Sequence, residues 1–147
     1  MNKPHQRKNA SSNTQVGIDF EALAYDYFKQ EFPSLEKPFQ ITIGHNDKKE
    51  HKFDMGCSEQ KVIIECKSHT WTEGGNSPSA KIRGMNEVML HFSVAPPHYR
   101  KILFILRHMR KETSLGTHYI KTQGHLIPEG VEIWELDFDS KLGSRIF

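Results

Sequence analysis

Three E-x-K tripeptides occur in the chain, at residues 50–52, 59–61 and 65–67. In a β-strand, side chains two residues apart point to the same face, so the carboxylate and the ammonium of such a tripeptide lie together. A pair of this kind can hold a cation near a phosphate and balance the charge that develops there. Only Glu65-Cys66-Lys67 follows an apolar run, Val62-Ile63-Ile64, which is typical of a strand buried on both faces. The tripeptide at 65–67 is therefore the candidate for chemistry.

Asp54 is the second acidic residue that the pattern brings to this strand. If residues 59–60 form a two-residue hairpin loop, counting outward places Asp54 opposite Glu65. Opposite residues have Cβ atoms about 4.5–5.5 Å apart, and two carboxylates that close repel each other unless a cation compensates. Magnesium accepts carboxylate oxygens, a main-chain carbonyl and waters. The alternative is an exposed hairpin on which both acids are solvated and Lys67 offsets their charge.

Asp54, ten intervening residues and then Glu65-Cys66-Lys67 resemble the core motif of the PD-(D/E)xK nuclease superfamily. The resemblance extends over residues 17–136. One departure is Phe53, which stands where the family name has proline. The resemblance implies an α/β fold, the restriction-endonuclease-like αβββαβ(α)β core, in which a mixed central sheet is flanked by helices.

The resemblance also implies roles for individual residues. Asp54, Glu65 and the carbonyl of Cys66 would bind Mg²⁺ or Mn²⁺, which activates a water and polarises the scissile phosphate. Lys67 would position that water or stabilise the developing negative charge. Glu21, on the first helix, would be a further acidic residue near the metal. The alternative for Glu21 is a solvated acid near the positive end of that helix.

Residues on either side of the next loop are candidates for binding nucleic acid. Ser68 and His69 directly follow the lysine, while Lys81 and Arg83 lie near the start of the second long helix, where phosphates can bind. Trp71 could stack on an unpaired base or belong to the core.

The apolar periodicity predicts the elements that position these residues. A first helix is expected at 18–32, and a second begins with Ser77 as N-cap and Pro78 as first residue and ends before Pro96-Pro97. Strands are expected at 39–43, 51–57, 61–67, 101–107 and 131–136, and a short helix at 114–122. This order indicates a mixed sheet flanked by helices.

Composition restricts the class of protein. The 147 residues fit one domain, which we assign to residues 16–147, and the polar residues 1–15 are predicted to form a flexible basic tail. No segment could cross a bilayer, and the N-terminus lacks the apolar centre of a signal peptide, so we expect a cytoplasmic protein without a membrane partner. The net charge is only +2. Besides the tail, a second group of basic residues comprises Arg100, Lys101, Arg107, Arg110 and Lys111.

Together these features predict a metal-dependent endonuclease that hydrolyses phosphodiester bonds of nucleic acid, with DNA as the expected substrate. Cutting both strands of a duplex usually needs two active sites, which makes a homodimer plausible. The alternative is a non-catalytic nucleic-acid-binding or scaffolding protein that retains the nuclease fold.

Overall fold

The computed structural model of the protein describes residues 10–147, and side chains from residue 14 onward. The helices are α1 (Ala10–Lys29), α2 (Ser79–Ser93) and α3 (Leu115–Gln123), the last followed by a short 3₁₀ helix, Gly124–Leu126. The strands are β1 (Phe39–Ile43), β2 (Lys49–Phe53), β3 (Met55–Cys57), β4 (Val62–Lys67), β5 (Arg100–Leu106), β6 (Met109–Arg110), β7 (Thr113–Ser114), β8 (Val131–Leu136) and β9 (Gly143–Arg145). None of the described helices is long and apolar enough to span a membrane.

A five-stranded mixed sheet forms the centre of the molecule, in the order β3-β4-β5-β8-β9. The three inner strands run parallel, and β3 and β9 pair antiparallel at the two edges. The inner strands are the most apolar segments, as expected for strands covered on both faces. The hairpins β1–β2 and β6–β7 form separate two-stranded sheets.

Helices cover both faces of the central sheet. On one face α1 buries Phe20, Ala24 and Phe28, and the rings of Phe20 and Phe28 lie 5.6 and 4.8 Å from Phe104 of β5. On the other face α2 and α3 pack over the odd-numbered residues of β4, β5 and β8, together with the β1–β2 hairpin. The protein is thus a mixed α/β structure in which the sheet lies between layers of helices, and the predicted α/β class is confirmed.

Several predicted boundaries were wrong. The first helix begins at Ala10 rather than 18, so it includes residues 10–15 of the predicted tail, because a formed helix propagates at little cost through residues of moderate propensity. Residues 1–9 of that tail lie outside the described part of the chain. The N-cap of α2 is Pro78 rather than Ser77, and no side chain caps the helix there. The predicted strand 51–57 is two strands, interrupted at Asp54.

Candidate metal and active site

Asp54 lies between β2 and β3, and its side chain accepts a main-chain hydrogen bond from the neighbouring strand β4. Its carboxylate oxygen Oδ2 accepts a hydrogen bond from the main-chain N–H of Cys66 at 2.8 Å. Its own main-chain N–H donates to Oε1 of Glu65 at 3.3 Å. The carboxylates of Asp54, just before the edge strand β3, and of Glu65, on β4, are therefore held close to each other.

The predicted hairpin register is confirmed. Met55 lies opposite Ile64 and Cys57 opposite Val62, which places the next position outward, Asp54, opposite Glu65. The connection itself is a turn over residues 58–61 in which Lys61 adopts a positive φ of 52°. This register agrees with the count outward from residues 59–60, which places Asp54 opposite Glu65.

Glu65 is buried, with only 9% of its surface exposed, and an isolated carboxylate is costly there. Burial raises its pKa, and the negative charge of Asp54 raises it further, to about 8, against a smaller opposing effect of Lys67. Burial and the charge of Asp54 also raise the pKa of the Cys66 thiol. This corner of the sheet therefore carries more negative charge than its surroundings stabilise.

Lys67 and Cys66 follow Glu65 on β4 and point to opposite faces. Lys67 shares the face of Glu65, as the spacing predicts, and its charge acts on the Glu65 carboxyl. The side chain of Cys66 packs against the cluster under α1. Within a strand, the N–H and C=O of one residue point to the same edge. The carbonyl of Cys66 is therefore directed toward the side on which its N–H meets Asp54.

Glu21 approaches the same corner from α1. Burial raises its pKa and the charge of Asp54 raises it further, which places the two carboxyls within electrostatic reach. Lys37 Nζ lies 4.0 Å from Glu21 Oε1. Glu21 thus lies where the charge of Asp54 acts on it, and the ion pair that it makes is with Lys37.

The oxygen atoms at this site are of the type that magnesium binds. No group of three or more His, Cys, Asp or Glu side chains among the described residues is arranged to hold a metal ion. Magnesium is commonly bound by only one or two carboxylates, with waters and substrate phosphates completing its shell. Asp54, Glu65 and the carbonyl of Cys66 meet that requirement. Burial first and the charge of Asp54 second raise the pKa of Glu65, and a bound cation would favour its ionised form.

The predicted nucleic-acid-binding residues occupy two places. Ser68 and His69 are half-buried directly after β4, while Lys81 and Arg83 are exposed in the first half of α2. Trp71 belongs to the core: it is buried, its Nε1–H donates to the carbonyl of His108, and it has no surface on which a base could stack.

The linear group of basic residues divides between the two ends of β5. Arg100, at the start of the strand, is bound to Glu132 at 2.6 Å and to Glu31 at 2.8 Å, and Lys101 beside it is buried. Arg107 and Lys111 are exposed beyond the other end, which is the edge of the sheet where Lys67 lies. The predicted strand at 101–107 is long enough to separate the two halves of this basic group, so its length contained the signal for their separation.

Searches found no match for the chain among protein-family models, curated proteins or solved structures. The case for a function therefore rests on the residues and geometry of this chain.

Proposed function

We propose that the protein is a metal-dependent endonuclease that hydrolyses phosphodiester bonds of nucleic acid, with DNA as the expected substrate and a restriction-endonuclease-like core of the PD-(D/E)xK type. The observation that carries the proposal is the meeting of Asp54 and Glu65 across β3 and β4, where Asp54 is fixed by the N–H of Cys66. Two carboxyls of like charge in a buried corner repel each other, and a bound cation would relieve that repulsion while both acids keep their main-chain hydrogen bonds.

In this proposal the side chains of the protein bind a metal ion and stabilise the negative charge that develops during hydrolysis. Asp54, Glu65 and the carbonyl of Cys66 would hold Mg²⁺ or Mn²⁺, which when bound supplies an activated water and a Lewis acid. Lys67 would donate hydrogen bonds to the attacking water or to a phosphate oxygen as negative charge develops. Glu21 would orient an outer water of the site. No covalent intermediate with the protein is required.

Substrate would approach along the carboxyl edge of the parallel strands. Lys67, Ser68 and His69 lie there at the end of β4, and Arg107 and Lys111 at the end of β5. Phosphate groups bind such clusters of cations and hydroxyls without regard to base sequence. At the opposite edge Arg100 is held by Glu132 at 2.6 Å and by Glu31 at 2.8 Å, whereas Arg107 makes a looser ion pair with Asp137, at 3.9 Å.

A cleavage assay tests the proposal. Purified protein is incubated with supercoiled plasmid, single-stranded DNA and RNA in Mg²⁺, in Mn²⁺ and in EDTA, beside the variants Asp54→Asn and Lys67→Ala. We expect metal-dependent cleavage by the wild type and none by either variant. Cleavage that persists in both variants would place the activity elsewhere and refute the assigned site.

The second candidate is a nucleic-acid-binding protein that keeps this fold without cutting. One observation favours it: Asp54 and Glu65 both accept main-chain N–H groups, so the two acids have a structural role in the fold without any metal. Binding to DNA in a gel-shift assay, without cleavage of any of the nucleic acids in either metal, would support this candidate.

The pattern of products also tests the proposed homodimer. Two active sites in one particle convert supercoiled plasmid directly to linear DNA, whereas one site per particle first accumulates nicked circles. Sedimentation of the same preparation gives the mass independently.

A further inference from the structure

A cleft of about 330 Å³ opens between the first half of α2 and the helix α3. Its walls carry the hydroxyls of Ser77, Ser79 and Thr122, together with the side chains of Arg83 and His118. Ser77, Ser79, Arg83 and His118 can donate hydrogen bonds to a ligand. The Thr122 hydroxyl donates to the main-chain carbonyl of His118 at 2.9 Å. None of the described residues that line the cleft is acidic, so its chemistry is that of a site for an anion.

Surrounding charges reinforce this character. The pKa of His118 is lowered by burial and then by the positive charges of Arg110 and Lys121. Arg83 supplies a positive charge in the wall itself, and a recess lined by one sign of charge concentrates the field at its centre.

The start of α2 leaves a place for a ligand. Pro78 caps the helix without a side-chain hydrogen bond, and the first turn contains no acidic residue. The N–H groups of a first turn have no partner within their own helix. Ser79, the first residue of α2, lines the cleft, so an anion there could accept hydrogen bonds from both main chain and side chains.

The far wall of the cleft could bind a group attached to the anion, such as a base or a sugar. Asn86 and Gln123 line it, and they are joined by a 3.1 Å hydrogen bond between Asn86 Nδ2 and Gln123 Oε1. The hydroxyl of Tyr119 donates to Asn86 Oδ1 at 2.8 Å, which fixes the orientation of that amide. An amide pair held in place presents polar groups at a defined position, as recognition of a base or sugar edge requires.

We propose that this cleft binds a nucleoside monophosphate unit, with its phosphate at Ser77, Ser79 and Arg83 and its nucleoside against the amide wall. The unit can be a free nucleotide or the phosphorylated end of a nucleic-acid strand, since both present the same chemistry. Binding of a strand end depends on the proposed nuclease function, whereas binding of a free nucleotide does not.

Calorimetric titration of the wild-type protein in EDTA tests the cleft without involving the metal site. The probes are adenosine 5′-monophosphate, adenosine and inorganic phosphate. We expect the monophosphate to bind and adenosine alone not to bind measurably. Arg83→Gln should weaken the monophosphate by about tenfold or more, as expected for loss of one charge-assisted hydrogen bond. Lys52→Gln, which removes an exposed charge on β2 away from the cleft, should leave the affinity within about twofold of wild type.

Equal affinity for adenosine and its monophosphate, no measurable binding of the monophosphate, or equal losses in both variants would overturn the inference. A second arm compares 5′-phosphorylated with 5′-hydroxyl oligonucleotides and separates a strand end from a free nucleotide. If nucleotide binding persists while no nucleic acid is cleaved, the cleft stands and the proposed nuclease fails. If cleavage occurs without nucleotide binding, the cleft inference fails alone.

Discussion

The carboxylate of Asp54 accepts a hydrogen bond from the main-chain N–H of Cys66, and the carboxylate of Glu65, which precedes Cys66, accepts one from the main-chain N–H of Asp54. Each acid is thus anchored by the other's strand rather than by a basic side chain. This reciprocal arrangement explains why β2 and β3 are interrupted at Asp54. It also fixes both carboxyls before any ion arrives, so binding a cation would need little rearrangement.

Replacing Asp54 with asparagine should separate chemistry from folding. The amide oxygen can still accept the N–H of Cys66, so the free energy of unfolding should change by no more than about 1 kcal/mol. Cleavage should fall by a factor on the order of 100 or more, because a charged metal ligand is lost. Urea denaturation and single-turnover cleavage measure the two effects. Asp54→Ala is the companion variant, and it should be less stable than Asp54→Asn because the N–H loses its acceptor.

Glu65 should make stability depend on pH when no metal is present. Its folded pKa is raised above the unfolded value by burial and by Asp54. A carboxyl shifted in this direction stabilises the fold fully below its unfolded pKa, and the contribution is lost as the pH rises toward about 8. The melting temperature in EDTA should therefore decline from pH 5 to pH 8.

Glu65→Gln should flatten that decline without abolishing it, since Glu135 and Glu21 also have raised pKa values. Adding Mg²⁺ at pH 8 should restore melting temperature in the wild type but not in Glu65→Gln. The same pH profile in both proteins would show that Glu65 does not titrate in this range.

The sequence was sufficient for the features that follow from parity and apolar pattern. The bounds of β1 and β8 derive from which side chains must be buried, and the register that sets Asp54 opposite Glu65 derives from counting outward from the predicted hairpin loop. The interruption at Asp54 could not be predicted in this way, because it depends on hydrogen bonds between a side chain and the main chain of another strand.

Features made by packing were also beyond the sequence. The hairpin β6–β7 and strand β9 have two or three residues each, too few to display a period. For Trp71 the sequence allows both base stacking and the core and slightly favours the core, whereas the hydrogen bond from its Nε1–H to His108 joins residues thirty-seven positions apart. The cleft between α2 and α3 arises from helix packing, for which the periodicity of each helix contains no signal.

Gly116, in the first turn of α3, should not tolerate a side chain. A Cβ there would lie 2.5 Å from Ile105 Cδ1, 2.8 Å from Glu135 Oε2 and 2.9 Å from Ile146 Cδ1. Gly116→Ala should therefore destabilise the protein by about 1–3 kcal/mol, as overpacking does. Gly84, inside α2, has nothing within 4 Å of the corresponding position. Gly84→Ala should stabilise by about 0.5–1 kcal/mol through helix propensity. Denaturant unfolding of both variants measures these opposite signs, and a stabilised Gly116→Ala would contradict the packing described for α3.

Arg107 and Lys111 should contribute to nucleic-acid affinity without regard to sequence. Both are exposed at the carboxyl edge of the sheet, and each phosphate contact that is lost should lower the slope of log K against log salt by about 0.9. The double variant Arg107→Gln, Lys111→Gln should therefore bind duplex DNA more weakly at low salt and converge with the wild type as salt rises. Lys61→Gln removes an exposed charge from the opposite end of β4 and should keep the wild-type slope. Fluorescence anisotropy across a salt series gives all three slopes. If Lys61→Gln lowered the slope as much as the double variant, DNA would not be confined to the edge that contains Lys67.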